Sequence, residues 1–382
     1  MKMIARLGKK RVNQHNKKIL MIFVEPTPYI LDLLERGFVD INKRCDIIFL
    51  TENLTQKWDL KTYNITFSIL KSKATLFADI FFKRKYRLVQ IAGWGHSFTV
   101  SIILASRFFF VPVAVDSDTP LGMPTSRLKK TVKKIFYPIL FKFPKMFLPS
   151  GTRQARYLNY YGVSNKKIIK EQMTVDVAYI QNFVKQIDAA KRDELRLSYN
   201  TQPDDIVFLF VGRLVAWKGI RELISAFELM HHPKARLWIV GTGDLDSEIW
   251  QATNRNNKIT YFGKLHGDEL WSTYHAADVF VLPSHKEPWG LVVNEAMAAG
   301  LPIIANKHAG CVDDLISEKI EGLLIDRSTV SSLCDAMRFL LNNPEKRKAM
   351  ARSAFTHISH WTLQNEANNI IFAWEKAMKM KY

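Results

Sequence analysis

Short apolar runs separated by polar loops recur along the whole chain. Residues 19–24, 46–50, 88–92, 112–115 and 147–149 read as strands in the first half. Residues 206–211, 237–240, 259–262, 279–282, 302–305 and 321–324 continue the series in the second. Between them, helices are predicted over 31–39, 102–109, 153–161, 188–197, 268–276 and 361–380. Strand alternating with helix predicts parallel, doubly wound sheets whose working loops lie at the carboxyl ends of the strands.

The most informative stretch is 278–302. The run 279–282 stops at Pro283, a polar loop follows to Glu287, and a helix with Pro288 in its first turn continues until Gly300 closes it. Glu287 and Glu295 are eight residues apart, so two helical turns bring both to one crevice. Carboxylates accept paired hydrogen bonds from vicinal hydroxyls, and free N–H groups at a helix start favour an anion. The alternative is an ordinary helix with one first-turn acid and one solvated acid.

A chain of 382 residues is longer than one typical core and suits two domains. The net charge of +19 changes the picture, because residues 1–180 hold 31 Lys and Arg against 12 Asp and Glu. The first half therefore carries the whole excess and is expected to face something anionic. Its sharpest segment is 127–145, where Arg127 and six lysines interleave with Phe136, Tyr137, Phe141 and Phe143. An anionic membrane interface suits that composition. Nucleic acid would suit it too, but no nucleic-acid fold signature accompanies it. A solvated helix with its apolar face in the core is the third reading, and Pro138 is expected to interrupt any long helix.

Cys45, Cys311 and Cys334 offer neither metal spacing nor a disulfide framework, which points to a reducing compartment. The basic N-terminal residues Lys9, Lys10, Arg11, Lys17 and Lys18 lack a signal-peptide arrangement. Residues 98–115 contain Arg107 and Pro112 and read as helix then strand, so no membrane span is expected.

Phosphate chemistry is signalled after residues 206–211. Gly212 allows close backbone approach, while Arg213 and Lys218 set two cations where a leaving diphosphate would sit. Gly241-Thr-Gly243 lacks a third glycine, so it reads as a tight turn near a nucleotide and not as a dinucleotide fingerprint. Lys264 follows the next predicted strand, 259–262.

These motifs, in order, resemble the retaining, nucleotide-sugar-dependent glycosyltransferases of the GT-B fold, glycosyltransferase family 4. The resemblance rests on residues 211–214 (Val-Gly-Arg-Leu) with Lys218-Gly219, residues 240–244, residues 261–264 and the E-x7-E element from Glu287 to Glu295. It covers roughly residues 206–330.

The resemblance implies two Rossmann-like domains facing a cleft: an acceptor domain over 1–180 and a donor domain over 181–360. A terminal helix, 361–382, would cross back to the first. It implies that Glu287 binds sugar hydroxyls, Glu295 binds ribose, and the backbone of Gly290, Leu291 and Val292 meets phosphate and sugar. Arg213, Lys218, Gly212, Gly241 and Lys264 complete the donor side, and Trp289 stands where the family commonly has Phe. His308 borders the sugar or sits on a plain loop. His96 and Asp116 are the acceptor-side candidates: His96 touches the donor sugar or the acceptor, or else caps or packs on a helix, and Asp116 orients an acceptor hydroxyl.

No metal or other cofactor is expected. The implied partners are a nucleotide sugar, a lipid-linked or oligosaccharide acceptor and an anionic membrane surface, with the protein peripheral at the cytoplasmic face. No nucleic-acid partner is expected. Transfer to a soluble acceptor, or a non-catalytic GT-B-like shell that binds membrane or nucleic acid, are the rival readings.

Overall fold

The computed structural model describes residues 17–52, 63–122 and 126–381. The basic residues Lys9, Lys10 and Arg11 lie outside the described residues. The first domain contains β1 (Ile19–Phe23), α1 (Pro28–Asp32), α2 (Ile41–Arg44), β2 (Cys45–Phe49), β3 (Phe67–Ile69) and α3 (Lys73–Phe81). It continues with β4 (Leu88–Ile91), α4 (Ser97–Phe109), β5 (Val113–Ser117), α5 (Arg127–Leu140), β6 (Met146–Pro149) and α6 (Thr152–Tyr160).

Then come α7 (Val177–Lys185), α8 (Ala189–Ser198), β7 (Ile206–Val211), α9 (Ile220–Met230), β8 (Ala235–Val240), α10 (Asp246–Arg255), β9 (Ile259–Tyr261) and α11 (Gly267–Ala276). The second domain closes with β10 (Val279–Leu282), α12 (Leu291–Ala298), β11 (Ile303–Asn306), α13 (Val312–Leu315), β12 (Gly322–Ile325), α14 (Val330–Asn342) and α15 (Pro344–Ile358). The last element is α16 (Leu363–Lys379).

Each domain is built on a six-stranded parallel sheet, ordered β3-β2-β1-β4-β5-β6 in the first and β12-β11-β10-β7-β8-β9 in the second. Central strands such as β1 and β10 are buried along their whole length, which is why they read as unbroken apolar runs. In each sheet the order reverses once, between β1 and β4 and between β10 and β7. Ligands of open α/β sheets bind at such switch points, outside the carboxyl ends of the strands. The loops carrying His96, Arg213 with Lys218, and Glu287 leave from three of these strands, β4, β7 and β10.

α16 packs on the first domain. Leu363, Ala367, Ile370 and Trp374 share a core with Phe23, Phe38 and Phe49. The indole of Trp374 stacks on Phe38 at 5.5 Å and donates to Gln90 Oε1 at 2.5 Å.

Several elements differ from the sequence reading. The helix expected over 31–39 is a short α1 followed by a wider π turn, Leu33–Gly37. Pro138 lies inside α5, which continues to Leu140; only one turn remains after it, so little hydrogen bonding is lost. Pro288 belongs to the loop, and α12 starts three residues later behind Gly290, whose φ of 103° sets the turn into it. Asp116 is inside β5 and not in the loop after it. The edge strand β3, largely exposed, had no apolar alternation to reveal it.

Candidate functional site

The site grows from the β7/β10 switch point. The loop after β7 carries Gly212, Arg213 and Lys218; the loop after β10 carries Ser284, Glu287 and Trp289. Gly219 is left-handed, with φ of 72°, and a Cβ there would fall 2.3 Å from the carbonyl oxygen of Pro283. That close approach seats the two loops against each other, and His285 N donates to Trp217 O at 2.8 Å. A Cβ at Gly241 would lie 1.9 Å from Gly212 O, so the loop after β8 is equally tight against the loop after β7.

Glu287 is buried, and its Oε2 is fixed by two donors: Lys218 Nζ at 2.6 Å and Ser284 Oγ at 3.0 Å. Arg213 is exposed, its guanidinium over the Trp217 ring at 5.7 Å. α12 opens without a side-chain cap, so its first backbone N–H groups are available to an anion. An ammonium and a hydroxyl therefore hold one buried carboxylate just ahead of a helix start, while the exposed guanidinium of Arg213 lies over Trp217, next in sequence to Lys218. Lys264 is exposed on the loop after β9. Exposed His308 approaches Asp326 at 3.7 Å.

Glu295, inside α12, accepts from the hydroxyl of Tyr274 at 2.7 Å. Burial pushes its carboxyl up to about 7, against the lowering effect of that hydrogen bond. Its contribution to folding is greatest below the ordinary value near 4.5 and is lost as pH rises through about 7.

On the facing domain, His96 directly precedes α4 and does not cap it with its ring. Asp116 Oδ1 accepts from Gln90 Nε2 at 2.8 Å. Burial, aided by the charge of Asp118, pushes Asp116 up to about 7. Glu171 and Glu366 are also buried, and burial followed by neighbouring carboxylate charge holds both well above the usual range. Glu366 accepts from Thr174 N at 3.2 Å, which ties α16 to the crossing between domains.

The domains meet where the carboxyl ends of their sheets face each other. Asp314 accepts from both the backbone N and the Oγ1 of Thr152, each at 2.6 Å, so a second-domain acid caps first-domain α6. Arg153 binds Asp313 through Nε at 2.9 Å and Nη2 at 2.7 Å. Gln154 Nε2 reaches Pro288 O at 2.6 Å, in the same loop as Glu287. Trp289 fills the seam: a Cβ at Gly151 would fall 2.4 Å from its ring.

The structure brings Lys218, Glu287 and the α12 start together, and holds Arg213 over Trp217 on the same loop as Lys218. Among the described residues no hydrogen bond links His96 or Asp116 to that group. Sequence reading missed Ser284, Tyr274 and the Thr152–Asp314 clamp. Tyr274 is 21 residues from its partner and Thr152 is 162 from Asp314, so no local pattern marks either pair. Among the described residues no group of three or more His, Cys, Asp or Glu is placed to hold a metal ion.

Residues 191–357 match the family of glycosyl transferases group 1. An uncharacterized glycosyltransferase of Methanocaldococcus jannaschii is 30% identical over 190 residues, 48% of this chain and 48% of that one. The D-inositol 3-phosphate glycosyltransferase of Segniliparus rotundus is 30% identical over 229 residues, 58% and 49% of the two chains. The chain thus spans about half the length of these curated relatives.

Anabaena HepE, solved in complex with UDP, superposes with a TM-score of 0.76 at 18% identity, covering 94% of this chain and 99% of that one. A glycosyltransferase from Rickettsia africae gives 0.74 at 18% identity, covering 96% and 100%. The fold is thus the two-domain GT-B fold, and the family match falls within its second domain. Residues 191–357 hold Arg213, Lys218, Glu287 and Glu295, the donor-side group read from the sequence.

Proposed function

We propose that the protein is a retaining glycosyltransferase of family 4 that moves a sugar from a UDP- or GDP-linked donor to an acceptor hydroxyl. The observation that carries this reading is the buried Glu287 held by Lys218 at 2.6 Å, just ahead of the start of α12. The domain match and relatives named for glycosyl transfer support it.

In this reading the bond between the sugar's anomeric carbon and the diphosphate oxygen breaks. The acceptor oxygen bonds the same carbon on the same face, and its proton passes to the departing phosphate. Arg213, Lys218 and the α12 N–H groups carry the charge that develops on the diphosphate, with no divalent ion required. Glu287 orients sugar hydroxyls and keeps Lys218 in place; it is a positioning residue and not a nucleophile. Glu295 takes the ribose, and Gly212, Gly241 and Lys264 line the nucleotide. His96 and Asp116 serve the acceptor from the opposite switch point.

The acceptor is proposed to be lipid-linked or an oligosaccharide at the cytoplasmic face of a membrane, as in surface-polysaccharide assembly. The basic first domain favours this over a soluble acceptor. No helix among the described residues is long and apolar enough to cross a membrane.

Thermal unfolding with UDP, GDP and ADP, with and without EDTA, tests the donor site. One nucleotide at ~100 times its Kd is expected to add ~2.7 kcal/mol of stability. EDTA leaves that effect intact, and Arg213→Ala removes it. Absence of any shift with all three nucleotides would sink the donor assignment.

Ribose hydroxyls donate to the ionised form of Glu295, so nucleotide binding is expected to tighten as pH rises through about 7 and to level off above it. Glu295→Gln should bind more weakly with a flat profile. Calorimetric titration across that range checks this; a wild-type profile as flat as the variant's refutes the Glu295 contact.

A further inference from the structure

α5 is built the wrong way round for a soluble helix. Leu128, Val132, Ile135 and Ile139 recur at helical spacing along one face, and all four point outward, 76, 55, 68 and 55% exposed. Leu140 is the helix's single buried residue. The side turned toward the domain carries Lys133 and Tyr137: the Lys133 ammonium sits 5.8 Å from the centre of the Tyr137 ring and 5.9 Å from that of Tyr157. A helix stabilised by its own domain would turn the aliphatic stripe inward and leave the lysine in water.

Cations line the stripe. Arg127 and Lys134 fall on one flank, Lys129 on the other, and the helix contains no acidic residue. This order sets the choice of occupant. A second copy would bring an equally positive helix against this one, which repulsion opposes. A bilayer with anionic headgroups takes both parts: the aliphatic stripe enters the acyl boundary while the flanking ammoniums stay at headgroup level.

α3, α4 and the end of α5 cover one face of the first sheet, sharing a core that includes Phe81, Ile102 and Leu140. Phe82, which caps the carboxyl end of α3, and Phe108 on α4 project from that layer, 68 and 75% exposed.

We propose that the outer face of α5 is a docking surface for an anionic lipid bilayer, with Leu128, Val132, Ile135 and Ile139 inserted and the flanking lysines on lipid headgroups. The inference deepens the reading of a membrane-borne acceptor and rests on it for its purpose. Lipid binding itself is measured without any sugar donor, so the two readings fail separately.

The experiment is flotation of the full chain with vesicles of phosphatidylcholine alone and of phosphatidylcholine mixed with phosphatidylglycerol. The wild type is expected to float with the anionic vesicles, less so at high salt, and to stay behind with the neutral ones. Val132→Glu with Ile135→Glu should reduce anionic partitioning ~tenfold or more. Both positions are exposed, so unfolding temperature and nucleotide-induced stabilisation should stay at wild-type values and report an intact fold. Lys129→Gln with Lys134→Gln should weaken binding and flatten its salt dependence.

Three results would overturn the proposal. The wild type could ignore both kinds of vesicle. The glutamate variant could float as the wild type does. Or the wild type could self-associate in solution through the stripe, with Ile135→Glu giving monomers and lipid binding absent, which would make the face a subunit contact.

Discussion

Lys218→Ala is expected to lower kcat/KM ~10²–10³-fold, the loss typical of removing one preorganised donor from developing charge. It should also destabilise the protein by ~3–5 kcal/mol, because it strips the ammonium from a buried carboxylate. Both side chains are largely out of water, at 15 and 7% exposure, which is why the second effect is expected here and not for an ordinary surface pair. Ser284 Oγ still reaches Glu287 and offsets part of the cost. Lys218→Met combined with Glu287→Gln removes both charges and should recover most of the stability while turnover stays low. Urea denaturation of the three proteins separates the terms. A double variant as unstable as Lys218→Ala would mean that the loop conformation, and not the orphaned charge, sets the loss.

Asp278→Ala is expected to cost a similar ~3–5 kcal/mol without touching the donor group. Arg196 on α8 is fully buried, and its guanidinium donates to Ala276 O at 2.9 Å, Pro203 O at 3.0 Å, Asp205 O at 2.9 Å and Asp278 Oδ2 at 2.5 Å. Asp278 also accepts from Val207 N at 2.8 Å, so one carboxylate neutralises a buried cation and holds the start of β10 beside β7. Removing it strands the guanidinium. Chemical denaturation measures the loss; a change under about 1 kcal/mol would put the pair in the range of solvent-exposed ion pairs and refute the argument.

Much of the second domain was legible because its central strands are buried on both faces and each ends in a loop with distinctive chemistry. The run from Ile206 to Val211 and the carboxylates Glu287 and Glu295 needed no tertiary information. What stayed hidden depends on direction or on distant partners. Periodicity finds the aliphatic stripe of α5, but only coordinates tell that it faces away from the core. Glu295 reads as a ribose ligand from its position, whereas its neutral-range carboxyl follows from burial beside Tyr274. Asp116 looked like a loop residue because its strand runs two residues past the apolar stretch, where Gln90 from β4 donates to its carboxylate.

The return of α16 to the first domain bears on how a ribosome-bound chain acquires its shape. The hydrogen bond from Trp374 to Gln90 joins residues 284 positions apart, and the same helix fills the core around Phe23 and Phe38. Contacts so distant in sequence form late, after the loop between them has been ordered. The second domain lies wholly inside that loop and needs nothing from its far side to complete its sheet. During synthesis the core around Phe23 and Phe38 therefore stays open until α16, made after the whole second domain, arrives to close it.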